Sequence, residues 1–87
     1  MITRTATIAS SVGLHARPAA LFVQKASATG VELTLKLGDN EVDATSILEV
    51  MTLGAKCGDV VELSSPDDSA GDALDSLVEL LETDLDA

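Results

Sequence analysis

Val31-Glu32-Leu33-Thr34-Leu35-Lys36-Leu37 alternates apolar and polar residues without a break. A period of two puts Val31, Leu33, Leu35 and Leu37 on one face of an extended chain and Glu32, Thr34 and Lys36 on the other. The run predicts a strand with one buried face. Gly38-Asp39-Asn40 follows with turn chemistry, and residues 41–44 return as a short antiparallel strand. A sheet built this way is covered on one side and open on the other.

Working outward, residues 2–8 repeat the alternation more weakly, with Ile2, Ala6 and Ile8 on one face, and residues 59–64 supply a fourth strand. Residues 9–13 read as a loop. Residues 16–27 form a helix with Ala19, Phe22, Val23 and Ala26 on one side, stopped by Gly30. Ser46 opens a short apolar helix that ends near Gly54. Ser65-Pro66-Asp67-Asp68-Ser69 is a loop into a last helix, where Leu74, Leu77, Val78, Leu81 and Leu85 make one buried stripe. The order is β-α-β-β-α-β-α. The helices must pack on the covered face of the sheet, which gives a two-layer α+β sandwich in a single domain, residues 1–87.

Composition narrows the function. Fifteen carboxylates against five basic residues give a net charge of −10, and Phe22 is the one aromatic residue. Nucleic-acid binding needs a basic footprint, and single-strand binding needs stacking rings; the chain has neither. The same charge disfavours anionic membrane surfaces, and the acidic surface reads first as a solubility device. Met1-Ile2-Thr3-Arg4 is not an apolar signal segment, and no apolar run approaches the ~20 residues that span a bilayer. A cytoplasmic address is expected. A lone Cys57 forms no disulfide within the chain, and one His with one Cys at no ligand spacing leaves no metal site. No Gly-rich loop ends in Lys-Ser/Thr, so nucleotide binding has no support and no cofactor is implied.

Chemistry concentrates in Gly13-Leu14-His15-Ala16-Arg17-Pro18. Pro18, with fixed φ and no N–H, suits the first turn of a helix. A helix starting there leaves the N–H groups of Ala16 and Arg17 without intrahelical acceptors, next to His15, and such a terminus holds anions. Arg17 adds a planar donor fork that matches phosphate oxygens. The dipole and the guanidinium both oppose a further positive charge, which favours the neutral, nucleophilic imidazole. With screening over about 8 Å, these local donors outweigh the distant carboxylates. A nucleophilic imidazole beside an anion cradle is what a transferable phosphoryl group requires, although a histidine at a helix start also serves as a purely structural cap.

That segment resembles the active-site motif of the HPr family, phosphocarriers of the phosphoenolpyruvate-dependent sugar phosphotransferase system. Ser46-Ile47-Leu48-Glu49-Val50-Met51-Thr52-Leu53-Gly54 and the element order extend the resemblance over nearly the whole chain. It implies an open-faced sandwich, a four-stranded antiparallel sheet with three helices on one face. It implies phosphorylation of His15 on Nδ1 by enzyme I, transfer to a sugar-specific IIA component, and Arg17 as the phosphate-handling partner. The protein is then a monomeric carrier and not a stand-alone catalyst. The alternatives are a carrier in a nitrogen or other regulatory phosphorelay, or a binding regulator acting through the Ser46 surface.

In one branch of the family the serine aligned with Ser46 is phosphorylated by a dedicated kinase. Here Ser46 and Glu49 also spell a capping box, the stronger reading. Thr45 and Glu49 replace that branch's lysine and small residue, and Glu49 would repel a phosphate on Ser46. The helix is too short to bury all its apolar residues. Val50 and Leu53, three apart, are the expected core pair, while Ile47, Leu48 and Met51 lean outward. The resemblance makes these three, with Ala16, Ala20 and Gln24, the docking patch for both partners.

Overall fold

The computed structural model describes residues 1–11, 13–14 and 16–83. Its strands are β1 (Ile2–Thr7), β2 (Thr34–Leu37), β3 (Asn40–Asp43) and β4 (Val60–Ser65), paired antiparallel in the order β1-β4-β2-β3. The helices are α1 (Ala16–Ala28), α2 (Ile47–Leu53) and α3 (Gly71–Leu81). They cover one face of the sheet, as the alternation requires. Leu33, Leu35, Val61, Leu63, Ala6 and Ile8 meet Ala19, Phe22, Ala26, Val50, Leu53, Leu74, Leu77 and Leu81 in one core. Each fully buried Leu or Phe contributes roughly 1.5–3 kcal/mol. No helix among the described residues is long and apolar enough to cross a membrane.

The β2 alternation outruns its ladder. The strand begins at Thr34, three residues later than the pattern predicts, because Thr34 pairs with Ser64 close to the end of β4. On the β3 side, one bond continues, from the Ala44 N–H to the Leu33 carbonyl at 3.1 Å. Periodicity reports which way side chains face, and Leu33 is indeed buried; it does not report where a partner strand stops. The β2–β3 register, Leu37 opposite Asn40, leaves Gly38 and Asp39 as the turn. Gly38 has φ +60°, and no described non-glycine residue has positive φ, so this is a II′ turn with glycine first.

α3 packs against β1, and its C-terminal end is bonded to the start of the loop that follows the strand. Arg4 Nε donates to Asp75 Oδ1 at 2.9 Å, the Thr7 N–H to Glu82 Oε2 at 3.3 Å, and the Ala9 N–H to the Leu81 carbonyl at 3.0 Å. The loop expected before α3 holds a 3-10 turn, Asp68–Ala70, capped by the Asp67 carboxylate, which accepts from the N–H and hydroxyl of Ser69. Leu74, Leu77 and Leu81 of the stripe are buried and Val78 half-buried; Leu85 lies outside the described residues.

Candidate functional site

His15 lies outside the described residues, and the site is defined by what flanks it in sequence. Leu14 is buried in the core, and Ala16 is the first residue of α1. Pro18 is the third, buried, where its missing N–H costs no helical bond. Ala16 and Arg17 are exposed in the first turn, whose N–H groups find no acceptor inside the helix. The Arg17 guanidinium makes no ion pair among the described residues. The donor set needed to hold an anion is therefore available at this helix start.

The loop before α1 is strapped by the segment between α2 and β4. The Leu14 N–H donates to the Ala55 carbonyl at 2.9 Å, the Gly58 N–H to the Ile8 carbonyl at 2.8 Å, and the Ile8 N–H to the Asp59 carbonyl at 2.9 Å. Gly13 is where the two segments meet. It is buried at φ +71°, and a Cβ there would overlap the Ala55 carbonyl oxygen and stand 2.8 Å from Lys56 Cα. Both the backbone conformation and the space admit only glycine. The strap is itself folded by the Asp59 carboxylate, which accepts the Lys56 N–H at 2.9 Å.

α2 is held by short-range chemistry instead. Asp43 Oδ1 accepts from the Thr45 N–H at 2.9 Å and the Thr45 hydroxyl at 2.7 Å, which lowers the Asp43 pKa below the ordinary carboxylate value. Ser46 Oγ accepts the Glu49 N–H at 3.4 Å, and Gly54 closes the helix at φ +72°. Only this half of the expected capping box forms. The Ser46 N–H is taken by the Asp43 carbonyl, and the Glu49 carboxylate turns to the Asp43 N–H at 3.3 Å. The Asp43 turn competes with the box and satisfies the same donor.

Of the surface residues, Ala16, Ala20 and Gln24 are exposed on α1, and α1 packs against α2. On α2, Leu48 is 75% exposed and Ile47 40%, while Val50 and Leu53 are buried as expected. Met51 departs from expectation: it is half-buried and packs against the core, because a two-turn helix gives its flank residues partial cover. Sequence reasoning missed Leu21, an exposed apolar residue one turn beyond Arg17. It also missed the strap on Gly13. A glycine three residues before a helix start carries a weak signal for close approach, and nothing in sequence names Ala55 as its neighbour.

The chain matches the family model described as PTS HPr component phosphorylation site over residues 2–83. It is 42% identical over 82 residues to the phosphocarrier protein HPr of Streptomyces coelicolor, covering 93% of this chain and 88% of that one. The crystal structure of HPr-C-His from Thermoanaerobacter tengcongensis superposes with a TM-score of 0.87 at 43% identity, over 94% of this chain and 92% of that chain. A structure of an HPr dimer from the same organism gives a TM-score of 0.71 at 43% identity, covering 94% of each chain.

Proposed function

This chain belongs to the HPr family and is a phosphocarrier protein of the phosphotransferase system, and we propose that His15 is the residue that carries the phosphoryl group. The observation that supports this is the helix start at Ala16, one residue after His15, with an exposed Arg17 unpaired among the described residues. In this reading the Nδ1 lone pair attacks phosphorus as the bond to phosphorylated enzyme I breaks. The N–H groups of Ala16 and Arg17 and the guanidinium hold the phosphoryl oxygens. Transfer to the IIA component repeats the displacement with His15 as leaving group. The protein adds little covalent chemistry beyond its nucleophile, so positioning and electrostatics carry the rate.

Ile47, Leu48 and Met51, with Ala16, Ala20 and Gln24, form the surface on which donor and acceptor dock in turn. The exposure of Leu48 and the packing of α1 on α2 support a shared patch. Ser46 serves as the cap of α2. The exchange takes place in the cytoplasm between single chains. Phosphoenolpyruvate and enzyme I should place one acid-labile, base-stable phosphate on the chain and none on His15→Ala. An acid-labile phosphate retained by His15→Ala would overturn the assignment.

A further inference from the structure

A phosphohistidine brings roughly two negative charges onto a chain that already carries −10. Few cations are placed to answer them. Arg4, on β1, is already bound to Asp75. Lys36 lies on the sheet between Glu41 and Glu62 of the neighbouring strands. Lys25 sits in the last turn of α1, about 12 Å along the axis from Arg17 at 1.5 Å per residue.

Lys56 is different. Its backbone packs directly on Gly13, two residues before His15 in the sequence, and its neighbour Ala55 holds the Leu14 N–H. Its side chain is exposed and forms no ion pair among the described residues. Asp59, the carboxylate nearest in sequence, is engaged by the Lys56 backbone N–H and not by its ammonium. The strap thus delivers a free lysine to the loop that leads into α1.

Resting on the reading of His15 as carrier, we propose that Lys56 is a second cation serving the phosphoryl group, beside Arg17. Arg17 belongs to the helix and holds oxygens in a fixed fork; Lys56 is a flexible point charge on the strap that packs on Gly13. Arg17 and Lys56, with Asp59 at the base of the strap and Glu82 on the Thr7 N–H where the loop leaves β1, are charged groups of the described elements that border this loop. A flexible lysine neutralises arriving charge without fixing it firmly, which suits a group that must leave again.

Phosphorus NMR of the isolated phosphorylated chain tests this without any partner. Lys56→Gln should raise the second ionisation of the phosphoryl group, because a cation that favoured the dianion is gone; Lys56→Arg should restore it, and Lys25→Gln should leave it in place. Transfer from enzyme I should slow about threefold in Lys56→Gln at low ionic strength, the scale of an exposed charge pair. The difference should vanish near ~1 M salt, where screening acts over about 3 Å. Equal titrations of the phosphoryl group in Lys56→Gln and Lys25→Gln would overturn the proposal. An unmodified His15 in the parent chain would instead overturn the carrier assignment on which it rests.

Discussion

Two helix starts in this molecule are held in opposite ways. α2 begins in a turn made by its own neighbours, with Asp43, Thr45, Ser46 and Glu49 trading hydrogen bonds within six residues. The loop into α1 is held by chain more than forty positions away, through backbone groups of Ala55, Gly58 and Asp59 and one glycine-sized gap. The start of α2 is thus set by local side-chain chemistry, while the loop into α1 is set by tertiary backbone contact. A phosphoryl acceptor needs the second kind of support, because a displacement of about 1 Å can cost a hundredfold in rate.

The contrast breaks first at Gly13. Gly13→Ala forces a Cβ into the Ala55 carbonyl and an unfavourable positive φ, and should cost about 3 kcal/mol with transfer reduced at least tenfold. Chemical denaturation and transfer rates measure both. Normal stability and normal transfer would mean that the strap does not position the site.

Leu48→Glu and Met51→Glu sharpen the docking side. Leu48 is largely exposed, so its variant should stay within about 0.5 kcal/mol of the parent while transfer from enzyme I and to the IIA component both slow about tenfold. Met51 packs against the core, so its variant should also lose about 1–2 kcal/mol. Thermal melts beside transfer rates separate the two, and unchanged rates in a stable Leu48→Glu would move the docking face elsewhere.

Ser46→Ala should have the smallest effect, about 0.5–1 kcal/mol in a melt, since it removes one long cap bond while the Asp43 turn still holds the Ser46 N–H. A loss above about 2 kcal/mol would show that the cap, and not the turn, fixes α2.

The same contrast explains what the sequence could tell. The β2–β3 hairpin, the buried faces of α1 and α3, the Val50–Leu53 pair and the Ser46 cap all follow from residues within one or two turns of each other. The Gly13-to-Pro18 motif was legible as a helix start. The early end of the β2 ladder, the half-formed capping box, the partial burial of Met51 and the strap on Gly13 were not. Each depends on where a distant partner ends or packs, and local spacing carries no record of that.

The most direct test of the account is a chase. The chain is phosphorylated with phosphoenolpyruvate and enzyme I, freed of both, and mixed with the IIA component. The account predicts that phosphate leaves His15 and appears on the acceptor one for one. Release of the label as inorganic phosphate with none on the acceptor, or label that stays on the chain, would contradict it.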